Sequence, residues 1–339
     1  MERDPKDKMA LWRRAAGIAA LVGAGLILAC SLLDVVLDVE AGSCSWLWLD
    51  LCGLVLSVVQ VVVLVRCRDI RRVHATLLPP ALLYLFFGGF SYYPAWLYVL
   101  ALILPFFLSP RPALPERAPL ETGRAARWIP LLLLALLVWN YDLLLQFLGI
   151  RWTLADGRPE IFYYLHPAAL ILLCAPAFGG RLRDDFLALR GNRTCYARRA
   201  IPRLTLGCGV FVLLRCVVLR STDLSEAAGG AWDATLVTAL ISGLILVPAA
   251  ETLIFCGLTR RILSGRVPFL VLSSLLFGLA HCDFSQPASQ IVLNLAALTA
   301  LGYGLCDSYA ETDNLFIPIG AYAYLQLLTI LSNLPMFHS

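Results

Sequence analysis

Long apolar runs separated by short polar segments occupy almost the whole chain of 339 residues. A helix needs about 20 mostly apolar residues to cross a bilayer, and eleven runs approach that length. They cover residues 15–37, 45–65, 74–89, 92–108, 128–149, 161–178, 204–219, 234–258, 267–283, 287–306 and 314–335. Several runs are short or are interrupted by proline, so the pattern predicts eight to eleven spanning helices. The predicted fold class is an all-α, polytopic transmembrane helix bundle.

The composition agrees with a membrane protein and excludes a soluble globular domain. Apolar residues make up 60% of the chain and charged residues 15%, and the mean hydropathy is +0.77. A soluble domain of this length needs far more polar surface. The net charge of +4 says little about partners, because the basic residues lie between the apolar runs. We expect contact with membrane lipid and no nucleic-acid partner.

Arginine is concentrated in alternate polar segments. With eleven spans, the basic segments at 66–74, 110–127 and 179–203 fall on the same side as the N-terminus. The positive-inside rule makes that side cytoplasmic. Only two of the 27 basic residues are lysine, a bias typical of GC-rich bacterial genomes. The predicted location is therefore the bacterial inner (plasma) membrane, with the N-terminus in the cytoplasm.

Two polar segments divide the chain into three predicted parts. Residues 110–127 are rich in Pro, Arg and Glu and predict a flexible loop. Residues 179–203 predict a second, basic loop with one or two helical turns at most, near 184–190. The parts are an N-terminal group of helices with its loop at 1–127, a middle group with its basic loop at 128–203, and a C-terminal catalytic bundle at 204–339.

Two ionisable residues lie inside apolar runs in the C-terminal third. Glu251 lies in the run at 234–258, and His281 lies in the following run. A charged side chain at the centre of a bilayer costs about 2.5 to 3.5 kcal/mol, so such residues usually serve a function. Carboxylates and imidazoles are also common general acids and bases. Each residue alone has a simpler explanation as a hydrogen-bonding partner between helices, but together they are expected to face each other, directly or through one water.

The motifs after residue 245 resemble the CPBP family, which includes type II CAAX prenyl proteases, bacteriocin-processing relatives and myxosortases. That family carries Glu-Glu-x-x-x-Arg, then Phe-x-x-x-His, then His-x-x-x-Asn/Asp in a later helix. Here Glu251 stands at the first Glu, Phe277 and His281 form the second motif, and the segment 314–326 corresponds to the third. The resemblance covers about residues 235–335, roughly the last third of the chain.

The resemblance implies an intramembrane endopeptidase and assigns four catalytic residues. Glu251 and His281 would activate a water molecule, and Tyr322 and Gln326 would supply the oxyanion donors in place of the family's His and Asn. The two donors are four residues apart, so they share one helical face. We expect them to line the same cavity as the first pair, with Tyr324 pointing away from it.

The chain departs from the family at two further positions. Thr252 replaces the second Glu of the first motif, and Cys256 replaces its Arg. In the family these two residues have the spacing of an ion pair on a helix. Losing one partner of a buried pair costs about 3 to 5 kcal/mol, whereas replacing both with neutral groups can be nearly neutral. The sequence therefore indicates that both partners of a structural ion pair, called the clamp below, were replaced together.

Two other functions stay open at this stage. The altered motif positions favour a catalytically degenerate relative that binds membrane segments without cutting them, as a scaffold or regulator. A proton-coupled transporter would use Glu251 as its carboxylate and Pro248 as a kink at the binding site. The expected partner of an active enzyme is a transmembrane or membrane-anchored protein substrate. The sequence calls for no cofactor and leaves the participation of a divalent metal open, because one Glu and one His do not complete a tight site.

Overall fold

The computed structural model describes residues 5–41, 44–66, 77–82, 93–108, 112–115, 122, 125–140, 161–214, 236–282, 284 and 286–332. Nearly all of these residues are helical, and none of them lies in a β-strand. The predicted all-α helix bundle is therefore confirmed. The predicted loop at 66–74 lies almost entirely outside the described residues, as do most of the run at 74–89 and the end of the run at 128–149.

The chain divides into two compact units, Met1–Pro112 and Ala113–Ser339. The first unit contains α1 (Pro5–Ala41), α2 (Cys44–Arg66) and α3 (Tyr93–Leu108). Helix α1 packs against both α2 and α3. It approaches α3 closely at Gly23, where an added Cβ would lie 2.9 Å from the Cα of Tyr98. Glycine at this position is what permits the close contact between the two helices.

The second unit contains the seven remaining named helices. They are α4 (Ala125–Trp139), α5 (Ile161–Phe178), α6 (Arg181–Val212), α7 (236–262), α8 (Arg266–His281), α9 (Ala288–Thr312) and α10 (Phe316–Ser332). Helix α9 packs against both α6 and α8. The backbones of α6 and α9 cross at Gly207 and Gly304, since a Cβ on Gly304 would lie 2.9 Å from the Cα of Gly207. Gly304 thus serves helix packing, as small residues do in membranes.

Helix α6 corrects one expectation from the sequence. The basic segment at 179–203 was expected to be a loop, but most of it belongs to the 32-residue helix Arg181–Val212, with a kink at Asn192. Its arginines find acidic partners on α9: Arg199 lies 3.6 Å from Glu311, and Arg203 lies 3.5 Å from both Glu311 and Asp307. These ion pairs join the basic segment of α6 to α9. Residue 203, the second boundary of the predicted three-part division, lies inside α6, and that division stays a prediction.

Three of the described helices are long and apolar enough to cross a membrane: Arg14–Leu37, Ser242–Ile262 and Ala288–Thr312. A fourth span results if α5 and α6, which meet at 88°, count as one broken span. Five shorter apolar helices accompany them, at Leu51–Arg66, Pro94–Phe107, Ala126–Trp139, Arg266–His281 and Phe316–Ile330. The chain is an integral membrane protein, and the predicted total of eight to eleven spans stays a prediction.

Helix α7 carries the first motif and has an irregular backbone. It contains two π-helical segments, Ser242–Leu246 and Thr252–Leu258, separated by one α-helical turn at Val247–Glu251. Pro248 opens that turn; proline has no N–H to donate and its ring disturbs the preceding turn, which is consistent with the first π segment. Glu251 is the last residue before the second π segment. Such π segments occur frequently at functional sites.

Candidate active site

Glu251 and His281 form a buried pair between α7 and α8. The Oε2 atom of Glu251 lies 2.9 Å from Nε2 of His281, and the side chains are 0% and 2% exposed. On the other side of the imidazole, Nδ1 lies 2.9 Å from the carbonyl oxygen of Phe277. A backbone carbonyl only accepts hydrogen bonds, so Nδ1 carries a proton. The Nε2–Oε2 contact therefore shares one further proton, as either a carboxylic acid with a neutral imidazole or a carboxylate with an imidazolium.

The contact between the two side chains is close but not well aligned. Although Oε2 of Glu251 and Nε2 of His281 are 2.9 Å apart, they do not form a hydrogen bond of good geometry with each other. A buried polar group without such a bond costs about 1 to 3 kcal/mol, more when it is charged. Catalytic groups are often poorly aligned until the substrate is bound. The pair therefore retains capacity to bind a further polar group.

Aromatic side chains hold the imidazole of His281 in place. The ring of Phe277 stacks on it at 4.3 Å with an interplanar angle of 26°, and the ring of Phe255 lies 6.1 Å away. Phe277 is itself backed by Gly302 of α9, where an added Cβ would lie 2.8 Å from the Cβ of Phe277. Because such packing leaves little room for another rotamer, the orientation of His281 toward Glu251 is fixed in advance.

Tyr322 and Gln326 of α10 complete the cluster. Both are 1% exposed, whereas Tyr324 is only half-buried. The phenol of Tyr322 faces the Glu251 carboxylate and the Gln326 side chain, close enough to interact with both. The structure therefore brings the four predicted site residues together, in the order His281, Glu251, Tyr322 and Gln326. Their catalytic roles stay a prediction.

The start of α10 is anchored by a residue that the sequence did not point to. Asp185 of α6 accepts a hydrogen bond from the backbone N–H of Leu315 at 3.0 Å, and its carbonyl oxygen accepts one from Asn314 at 2.8 Å. The side chain of Asn314 in turn caps the helix by accepting from the N–H of Phe316 at 3.0 Å. These bonds fix the position of α10 and thereby help to orient Tyr322 two turns later.

Comparison with known families supports the resemblance drawn from the motifs. Residues 233–328 match the family model of the type II CAAX prenyl endopeptidases, Rce1-like. This segment is an Rce1-like domain. The match confirms the resemblance to the CPBP family that the motifs indicate. The Rce1-like family consists of intramembrane peptidases. No curated protein and no solved structure matches the chain significantly.

The Rce1-like domain contains all four predicted site residues and both altered clamp positions. Thr252 and Cys256 are 3% exposed each. The Sγ atom of Cys256 lies 2.7 Å from Sγ of Cys306 on α9. At the position of the Arg in the first motif, this chain therefore has a neutral contact between α7 and α9. Buried thiols pack as small apolar groups and carry no cost of burying a charge.

Two residues outside the Rce1-like domain also reach the site. The indole of Trp139, at the end of α4, lies 5.6 Å from the imidazole of His281 and 6.0 Å from the ring of Phe255. His166 of α5 lies 5.7 Å from the same indole. No feature of the sequence singles out Trp139, which is one apolar residue in an apolar run. Among the described residues, no three His, Cys, Asp or Glu side chains are grouped as metal ligands would be.

Proposed function

We propose that the protein is an intramembrane endopeptidase in which Glu251 is the general base and His281 is its partner. The observation that carries this proposal is the 2.9 Å contact between two side chains that are 0% and 2% exposed, inside an Rce1-like domain. Burying both groups is costly, and a functional role is the usual reason for keeping such groups in a membrane helix. General acid–base catalysis by a positioned pair typically contributes about 10² to 10⁴ in rate.

The proposed reaction begins with the proton of the pair on His281, so that Glu251 is a carboxylate. Glu251 takes a proton from a water molecule while the water oxygen attacks the carbonyl carbon of the substrate peptide bond. The resulting tetrahedral intermediate collapses when the carboxylic acid of Glu251 gives that proton to the leaving nitrogen. One water is consumed, the C–N bond breaks, and Glu251 and His281 return to their starting protonation states. Throughout, the Phe277 carbonyl holds the imidazole by its Nδ1–H group, at 2.9 Å.

Tyr322 and Gln326 are proposed to stabilise the oxyanion of the intermediate. A phenol donates a single hydrogen bond, and in the resting site that of Tyr322 faces Glu251. A protonated carboxyl accepts more weakly than a carboxylate, so proton uptake by Glu251 would release the phenol toward the developing oxyanion. The amide of Gln326 would be the second donor. Removing one oxyanion donor typically costs about 10² to 10³ in kcat.

The proposed substrate is a membrane-anchored or transmembrane protein. A site inside apolar helices is accessible mainly to segments that already lie in the bilayer. The matching family model is named for CAAX prenyl endopeptidases, so a lipid-modified C-terminal peptide is the first substrate to test.

The test compares the wild type with Glu251→Gln in proteoliposomes, using an internally quenched farnesylated peptide with a CAAX ending. Glutamine keeps the shape of the side chain but cannot take up the proton, so we expect a loss of about 10² to 10⁴ in kcat/KM. Glu40→Gln is the matched control, because Glu40 is an exposed carboxylate in the first unit. In parallel, mass spectrometry of protein termini in cells expressing either form would detect substrates of other kinds. Equal cleavage by the wild type and Glu251→Gln would refute the role of Glu251.

A catalytically degenerate relative is the second candidate function. It is favoured by the departures at Thr252, Cys256, Tyr322 and Gln326, which alter both the clamp and the oxyanion donors. This alternative predicts no cleavage in either assay. It also predicts that crosslinking in membranes captures the same proteins with the wild type and with Glu251→Gln.

A further inference from the structure

We propose that Trp139 and His166 are positioning residues of the active site, supplied by α4 and α5 from outside the Rce1-like domain. Trp139 would hold the imidazole of His281 in its working orientation, and His166 would hold Trp139. This inference rests on the proposed function. It extends the site to two helices that neither the motifs nor the family match include.

Trp139 is the common neighbour of the rings around the catalytic pair. Its indole lies 5.6 Å from His281 at an angle of 48°, and 6.0 Å from Phe255 in an edge-to-face arrangement at 84°. Phe255 and Phe277, the other rings that contact His281, both belong to the Rce1-like domain. Trp139 therefore lines a side of the site with a residue from outside the Rce1-like domain.

His166 fixes the end of α4, where Trp139 is the last helical residue. The Nε2 atom of His166 lies 2.9 Å from the carbonyl oxygen of Val138, which can only accept, so Nε2 is the donor. The carbonyls of a last helical turn lack partners inside the helix. The carbonyl of Leu136 accepts two hydrogen bonds from Asn140, one from its backbone N–H and one from its Nδ2, each at 3.0 Å. The hydrogen bonds of Val138 and Asn140, the residues directly before and after Trp139, thus hold the backbone of Trp139 in place.

The indole has a chemical role as well as a steric one. An aromatic face near a cation is attracted to it through its negative charge density. In the proposed reaction His281 is an imidazolium whenever Glu251 is the base, so the indole stabilises the state that starts catalysis. Among the described residues, Glu251 lies at Nε2 of His281, Tyr322 lies beside Glu251, and His166 lies 5.7 Å from the indole. Loss of the indole should therefore lower kcat and leave KM nearly unchanged.

The kinetic test uses the farnesylated peptide and two graded pairs of variants. Trp139→Leu should lower kcat by about 2- to 30-fold, the range that a cation–π contact corresponds to, while Trp139→Phe keeps an aromatic face and most of the rate. His166→Ala removes the donor to Val138 and should also lower kcat. His166→Gln should restore the rate, because its amide nitrogen can donate from a similar place. Trp128→Phe is the control on the same helix, since Trp128 packs on Arg261 and not on the pair.

A second test needs no activity. A nearby imidazole quenches indole fluorescence, so His281→Gln should raise the emission of the purified full-length protein. The increase should persist in a Trp128→Phe background and vanish in a Trp139→Phe background. An unchanged emission, or the same increase without Trp139, would overturn the inference.

The two tests separate this inference from the proposed function. If the wild type cleaves the peptide and Trp139→Leu does so with the same kcat, the inference is wrong while the protease proposal stands. If the wild type cleaves no substrate, the protease proposal fails, and the positioning of a catalytic His281 fails with it. The fluorescence result then decides only whether the ring contact exists.

Discussion

A double-mutant cycle on Glu251 and His281 tests whether the two side chains act as a single catalytic unit. The variants are Glu251→Gln, His281→Gln and the double substitution. Each replaces an ionisable group with an amide that preserves most of the buried volume. The 2.9 Å contact predicts strong coupling, because removing either partner leaves the other without its shared proton.

The distance between the two groups shows that a large coupling energy is possible, and the expected rate losses give its size. Two unit charges 2.9 Å apart attract by about 6 kcal/mol at an effective dielectric constant near 20. Each single substitution should cost about 10² to 10⁴ in rate, or about 3 to 5 kcal/mol. If the groups were independent, the double variant would lose about 10⁴ to 10⁸. Residues that act as a unit are strongly non-additive, so we expect the double variant to lose about 10² to 10⁴, which gives a coupling of about 3 to 5 kcal/mol.

The assay is kcat/KM for the farnesylated peptide in proteoliposomes, with thermal unfolding in nanodiscs as the control for folding. Neither single variant leaves an obligatory buried charge, because a glutamine is neutral and an unpaired imidazole or carboxyl can become neutral. Stranding a buried charge typically lowers the free energy of unfolding by about 3 to 5 kcal/mol. We therefore expect each single variant to lose less than this. Multiplicative losses in the double variant would refute the shared-proton model, whatever the stability data show.

Three further predictions concern the oxyanion donor, the lost clamp and the topology. Tyr322→Phe should lower kcat by about 10² to 10³, whereas Tyr324→Phe should have little effect in the same peptide assay. Cys256→Ala should leave kcat within about threefold, because it removes no group used in the proposed reaction and loses only a small apolar contact; a full loss of cleavage would show that the thiol is needed. Membrane-impermeant thiol labelling should place Cys67 and Cys195 on the same, cytoplasmic side, and labelling from opposite sides would rule out the eleven-span topology.

The proximity of Glu251 and His281 was predictable from the sequence, because the energetic cost of each residue in an apolar run is visible locally. A glutamate or a histidine within an apolar run stands out from its neighbours, and its burial requires a partner. The spacing of Tyr322 and Gln326 placed both on one face of a helix, and the structure has both buried, with Tyr322 near Glu251 and Gln326 near Tyr322. Polar residues in apolar runs and helical spacing can be recognised from residues within one or two helical turns, and the order of the motifs along the chain adds the rest.

Helix α6 was not predictable from its own sequence for the opposite reason. Seven arginines between 181 and 203 predict a solvated loop when they are considered alone. Their partners Asp307 and Glu311 are more than a hundred residues away in the chain, and only the fold brings them together. Trp139 was missed on similar grounds, because nothing in an apolar run distinguishes a side chain that lies near the imidazole of His281.

The ion pairs at the end of α9 restrain the helix that carries His281. Arg266, the first residue of α8, lies 2.6 Å from Asp307 and 3.3 Å from Glu311. His281 is at the other end of the same helix, roughly 22 Å away at 1.5 Å per residue. Because a helix is rigid over that length, fixing the register of α8 at Arg266 also fixes His281.

The same end of the bundle holds the helix that carries Tyr322. Arg181 pairs with Asp313 and, at 3.2 Å, with Asp185, and Asp185 binds the first turn of α10. Ionic contacts at the helix ends thus set the positions of α8 and α10 relative to α9. Neutral side chains at Thr252 and Cys256 are therefore compatible with an ordered contact between Glu251 and His281.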